Sequence, residues 1–174
     1  MRVQGMDTGC LEVVVNRKTN TLMKALHYGA IVLAVCFLLS AFMIHFALIV
    51  PAVACAVGVY FTWLECVVDY EYVYVDREIR IAKIMQKQRR KEIGVYDLGK
   101  MEIMAPAGSW HLDAYKGRNL EVLDYSSGMD DNLPCRYEIV LEGGKKLILD
   151  LVGEYGSQIT GLIRNYYPRF VFTD

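Results

Sequence analysis

No Lys, Arg, Asp or Glu occurs between Ala25 and Leu64, a run of 64 − 25 + 1 = 40 residues. In that run only His27 and His45 could carry a proton. As one helix the run would be about 60 Å long, against a hydrocarbon core of about 30 Å. Two spans of about 20 residues each fit, so the run predicts a helical hairpin in a bilayer. His45 has no acidic or basic partner in the spans, which fits a turn residue near headgroups better than a proton relay. The same gap argues against a transporter or channel. The chain has five cysteines, an odd number with no CxxC pair, and three of them (Cys36, Cys55, Cys66) lie in or beside the apolar run. Neither a disulfide framework nor a zinc site is indicated. The net charge of −1 gives no global field to recruit nucleic acid.

A cleavable signal peptide would need an apolar core of about 7–15 residues near the start. Here the apolar run begins at residue 25 and is far longer. Ala52-Val53-Ala54-Cys55 has the outline of a lipoprotein cleavage site, but apolar sequence continues to Leu64, as a span requires. Met6 is an alternative start.

Positive charge flanks the run on both sides, as Arg17, Lys18 and Lys24 before it and Arg77, Arg80 and Lys83 after it. The positive-inside bias therefore predicts a two-span protein of the cell membrane with both termini cytoplasmic. Span one is expected over Leu26 to His45, with a break before Pro51, which suits the first turn of span two. Tyr60 and Trp63 are placed for an interfacial belt. The expected domains are a cytoplasmic segment 1–24, the hairpin 25–67 and a cytoplasmic domain 68–174. Leu11 to Val15 fits either a short strand or the start of an amphipathic helix, and the sequence leaves both open.

The remainder reads as short strands followed by one helix. Tyr70–Val75 is rich in β-branched and aromatic residues, and Asp76-Arg77 turns it into Glu78–Met85. A basic link, Gln86 to Lys91, leads to a third strand through Tyr96, and a fourth over Lys100–Ala105 stops at Pro106. After a loop with Gly108, Trp110, His111 and Gly117 comes a fifth strand, Asn119–Tyr125. The loop Ser126–Pro134 precedes Cys135–Glu142 and Lys145–Leu151, which flank a Gly143-Gly144 hairpin turn. From Glu154 to Tyr167, an apolar stripe of Tyr155, Ile159, Leu162, Ile163 and Tyr166 predicts a helix. Gly156 and Gly161 each weaken it by up to about 1 kcal/mol, so it needs a sheet to lean on.

Seven strands, grouped four and three and closed by a helix, resemble a pleckstrin-homology-like (PH-like) partly open barrel. The segments YEYVYVDREIRIAKIM, RRK, KMEIMAPAGSWHLDAYKGR, DYSSG and PRFVFTD are similar to a family of small bacterial membrane proteins with this same hairpin and C-terminal region. The resemblance implies that architecture and no catalytic or ligand residues. That family usually has Gly after the Asp of the first hairpin turn, where this chain has Arg77, so a wider or strained turn is expected there.

No catalytic constellation stands out. His111 with Asp113 is a pair at i and i+2, a poor geometry for a general base. Ser126-Ser127-Gly128 is not a nucleophile elbow, and Gly143-Gly144-Lys145-Lys146 is not a P-loop. Asp130-Asp131 is not a calcium loop. No cofactor or metal is expected. The strongest charge signal is Lys83, Lys87, Arg89, Arg90 and Lys91, five bases within residues 83–91 and no acid. They are candidates to hold an anionic lipid headgroup or phosphate, set against a solvated hairpin tip that merely follows the positive-inside bias. Tyr70, Tyr72 and Tyr74 alternate onto one sheet face, expected to pack rather than to recognise a partner.

The function expected is a non-enzymatic binding or scaffolding module at the cytoplasmic leaflet. Its partners would be membrane lipids or a membrane or cytoplasmic protein, and not nucleic acid. A structural subunit of a membrane complex is the alternative, with a membrane enzyme third.

Overall fold

The structure, a computed structural model, describes residues 11–18 and 21–173. Met6 and Cys10 lie outside the described residues. The chain forms two compact units. One holds residues 19–68 with 85–89, and the other holds the chain up to Lys18, Asp69–Ile84 and Arg90–Asp174.

The first unit is the helical hairpin: α1 (Thr21–Met43), a 3-10 turn (Phe46–Leu48) and α2 (Ile49–Cys66). Both stretches are long and apolar enough to cross a membrane, and only 6% of each is buried by protein. The core helix of a soluble globule would be mostly covered. His45 sits in the turn and its Nδ1 accepts from the Ala47 amide at 3.2 Å, the role expected of a turn residue. Pro51 falls in the first turn of α2. His27 takes a part the sequence did not suggest. Its Nδ1 lies 2.9 Å from Thr62 Oγ1 and joins the two helices. The Thr62 hydroxyl also lies 3.0 Å from the carbonyls of Gly58 and Val59 on its own helix. Such bonds contribute about 0.6 kcal/mol on average between membrane helices.

The second unit has two four-stranded sheets and a C-terminal helix. The first sheet takes β1 (Leu11–Asn16), β2 (Val68–Val75), β3 (Glu78–Met85) and β4 (Arg89–Asp97), in the order β1-β2-β3-β4. The second takes β5 (Met101–Pro106), β6 (Glu121–Asp124), β7 (Arg136–Leu141) and β8 (Lys145–Asp150), in the order β5-β7-β8-β6, with β6 parallel to β8. Both sheets depart from the expected four-plus-three grouping. Leu11–Val15 is a strand, antiparallel to β2 with Val13 opposite Tyr72 and Asn16 opposite Asp69, and it makes eight strands rather than seven. The chain also changes sheet between β4 and β5. Asp97 caps a 3-10 turn there through the Gly99 amide at 2.7 Å, and the corner sends β5 to pair with β7. Arg89–Lys91 belongs to β4 and not to a link.

The interior is built from the inward faces. Tyr70, Tyr72 and Tyr74 are 5%, 1% and 5% exposed, so the tyrosine stripe is packed. Tyr72 donates to the Tyr125 carbonyl, and the Tyr96 and Tyr125 hydroxyls are 2.7 Å apart. A Cβ on Gly94 would lie 2.6–2.7 Å from the Tyr96 ring, so this strand glycine makes room for that ring. The outward face of the second sheet is covered as well. The loop after β5 holds a 3-10 turn (Trp110–Leu112) and the single-turn α3 (Asp113–Lys116), and Leu112 and Tyr115 pack on Ile103, Ala105 and Val140. The C-terminal segment runs beside β5, with Met104 bonded to Phe170 and Phe172 at 2.8 Å each.

α4 (Gly153–Tyr166) buries Ile159 and Ile163. Its first turn approaches the chain so closely that a Cβ on Gly156 would lie 2.3 Å from the Leu151 carbonyl carbon and oxygen. The Ser127 loop is tied to the sheet by a buried carboxylate. Asp150, fully buried, accepts from the Ser127 amide at 2.9 Å, from the Ser127 hydroxyl, and from Arg136. Burial alone would raise its pKa, but the bonds from Arg136 and Ser127 hold it below the ordinary carboxylate value.

Candidate functional site

The five candidate bases divide between the two units. Lys83, Arg90 and Lys91 belong to the sheet unit, Lys87 and Arg89 to the hairpin unit. Lys83 is half-buried on β3 and already has a partner. Arg90 is spoken for too, since its Nε makes an ion pair, rather than an aligned hydrogen bond, with Glu71 Oε2. Glu71 is 8% exposed at its side chain, so Arg90 neutralises a nearly buried acid before any external anion. Lys87, Arg89 and Lys91 are exposed.

Lys87 and Arg89 sit on a tight turn. Gln86 and Lys87 both take left-handed backbone, with φ of 51° and 57°. Two such residues in succession match the type I′ geometry that follows the twist of a hairpin. The tip is fastened to the end of α2. The Gln86 amide donates to the Val67 carbonyl at 3.0 Å, and its side chain donates to the Trp63 carbonyl. Trp63 and Tyr60 are 46% and 47% exposed on that same end of the helix. The turn that carries Lys87 and Arg89 is thus bonded to the end of the helix that carries Trp63 and Tyr60.

A second charged cluster was invisible in the sequence. Glu12 on β1 lies diagonal to Glu71 on β2, because Glu12 faces Val73 and Val14 faces Glu71. A hydrogen bond with Glu71, burial and the Glu71 charge raise the Glu12 pKa to about 7, against the pull of Arg90.

His111 is not arranged as a base. Its ring stacks on Phe172 at 3.7 Å, and the Trp110 ring lies tilted by 31° at 3.7 Å. Asp113 is paired with Lys116 at 2.6 Å. Among the described residues, no group of three or more His, Cys, Asp or Glu is placed to hold a metal ion. The expected strain at Arg77 takes a specific form. The turn is not widened, and Asp76 and Arg77 both take left-handed backbone at φ of 50° and 67°. The Arg77 guanidinium lies 5.1 Å over the Tyr166 ring, a contact that glycine would forgo.

Two sheets closed by a C-terminal helix, beside two apolar helices, define a membrane-associated protein with a PH-like domain. The chain belongs to the family described as Bacterial PH-like domain (DUF6106), whose model matches residues 8–173. PH-like domains are scaffolding and binding modules, not enzymes. No curated protein and no solved structure matches the chain.

Proposed function

We propose that the protein is a hairpin-anchored binding module that engages anionic lipid at the cytoplasmic leaflet. The hairpin holds a partly open PH-like barrel, residues 68–174 with β1 added, on the side where both termini lie. Lys87 and Arg89 are the headgroup ligands, with Lys91 exposed nearby in sequence. The observation that carries this reading is the fastening of Gln86 to the end of α2, which leaves Lys87 and Arg89 exposed beside Trp63 and Tyr60. Arg90 leaves the set because its charge is paired with Glu71, and Lys83 because it is half-buried and already has a partner.

The test uses the full chain in nanodiscs of mixed zwitterionic and phosphatidylglycerol lipid. Native mass spectrometry counts the lipids retained on release. Selective retention of phosphatidylglycerol by the wild type, lost when Lys87 and Arg89 are neutralised, supports the reading. Equal retention of both lipids sinks it and leaves the structural-subunit alternative.

A further inference from the structure

A cleft opens beside α4 in the sheet unit. It measures about 360 Å³ and lies between α4, the start of β7, Leu151 and the C-terminal segment. That is within the size range of small-molecule sites. Its walls differ in chemistry. Pro134, Leu151 and Cys135 form an apolar side, while Ser157, Thr160 and Arg164 of α4 form a polar one.

The helix floor of this cleft is a glycine without a packing reason. Gly156, one turn earlier, is forced by the Leu151 backbone. A Cβ on Gly161 would meet nothing within 4 Å, and its backbone is ordinary helix. The helix thus carries the stability cost of glycine at a position where any side chain would project into the cleft. Among the described lining residues, Arg164 is the one that carries a charge. Its Nη1 donates to Thr173 Oγ1 at 3.0 Å, which aims the guanidinium along the mouth. Ser157 and Thr160 spend their hydroxyl protons on the Gly153 and Gly156 carbonyls, at 3.2 Å and 3.0 Å. An occupant therefore meets a cation at the rim, hydroxyl lone pairs on one wall and carbon on the other.

We infer that the cleft binds a small soluble molecule with an apolar body and a single oxyanion, a carboxylate or phosphate, with the oxyanion on Arg164 and the body over Gly161 against Pro134 and Leu151. Cys135, half-exposed on the same lining, reports occupancy through its thiol.

The experiment uses the full chain in mild detergent, with phenyl phosphate as the probe. The alkylation rate of Cys135 is read by peptide mass spectrometry. Phenyl phosphate is expected to slow it at least tenfold at saturation. Benzyl alcohol and inorganic phosphate are each expected to protect at least tenfold less well. Gly161→Leu fills the cleft and should abolish protection by the probe, while its melting temperature does not fall below that of the wild type. Arg164→Gln, at an exposed position, should weaken protection at least tenfold and serves if the leucine variant does not fold. Three results would each overturn the assignment: no protection by phenyl phosphate, protection by benzyl alcohol or phosphate equal to that by the probe, or protection that survives Arg164→Gln and, in a folded protein, Gly161→Leu.

Discussion

Arg136 grips the buried carboxylate of Asp150 with two nitrogens, Nε at 2.7 Å from Oδ1 and Nη2 at 3.2 Å from Oδ2. The Arg136 side chain is 14% exposed and that of Asp150 is 0% exposed, so removing the acid leaves a guanidinium with little water to replace it. Asp150→Ala is expected to destabilise the sheet unit by about 3–5 kcal/mol. It also frees the Ser127 loop, whose amide and hydroxyl both point at that carboxylate. Native-state hydrogen exchange of the β7 and β8 amides measures this directly, without assuming that hairpin and sheets unfold together. Because the folded pKa of Asp150 is depressed, its contribution is present above the unfolded value and is lost as pH falls through the folded one. A variant whose β7 and β8 protection stays at the wild-type level would contradict this.

Glu12 reverses the sign. Its folded pKa is raised from 4.5 to about 7, first by the hydrogen bond with Glu71 and then by burial. A raised acid stabilises fully below its unfolded pKa and less as pH rises toward the folded one. The sheet unit should therefore lose melting temperature between pH 5 and pH 7.5. Glu12→Gln keeps a donor toward Glu71 without the titration, and thermal melts of that variant should be flatter over the same window. An unchanged slope would show that another group titrates there.

Two glycines three residues inside and eight residues inside α4 should respond to alanine with opposite signs. Gly156→Ala drives a Cβ into the Leu151 backbone, which cannot rotate away, and overpacking of this kind costs about 1–3 kcal/mol. Gly161→Ala enters open space and should gain up to about 1 kcal/mol of helix stability. Paired thermal melts of the two variants decide this, and a shared sign would mean that α4 is seated differently.

The basic tip calls for substitutions that remove charge without disturbing its backbone. Asn tolerates left-handed φ, so Lys87→Asn keeps the turn while Arg89→Gln keeps length. At about 1 kcal/mol per cation near an anionic leaflet, the double variant should retain phosphatidylglycerol about 30-fold more weakly. Arg90→Gln should act differently. It strips the partner from Glu71, so its effect is expected in the melting curve of the sheet unit rather than in lipid retention.

What could be read from the residues was whatever repeats over a short distance. The hairpin declared itself by absence of charge, β2 and β3 by β-branched and aromatic density, and α4 by its apolar stripe. Gly143-Gly144 was expected to form a hairpin turn between two strands, and it does, with φ of 89° and 78°. Features set by distant partners were not legible. Leu11–Val15 is too short for its period to decide between strand and helix, and only the pairing with β2 settles it. The move of β5 to the second sheet depends on β7, more than 30 residues later. Arg90 looked like a free cation because its partner Glu71 is 90 − 71 = 19 residues away. Gln86 looked like filler within a basic run, although its two bonds to α2 are what position that run.

The first sheet carries a consequence for biogenesis. Asn16 and Asp69 are neighbours across β1 and β2, yet 69 − 16 = 53 positions separate them, and the whole hairpin lies between. β1 emerges from the ribosome before its partner strand, with both apolar helices made in between. A molecule with only one helix inserted would strand β1 and β2 on opposite sides of the lipid, and the sheet could not close. On the proposed two-span topology, closing that edge thus requires both helices to be inserted, and a copy with one helix inserted would keep an open β-strand edge.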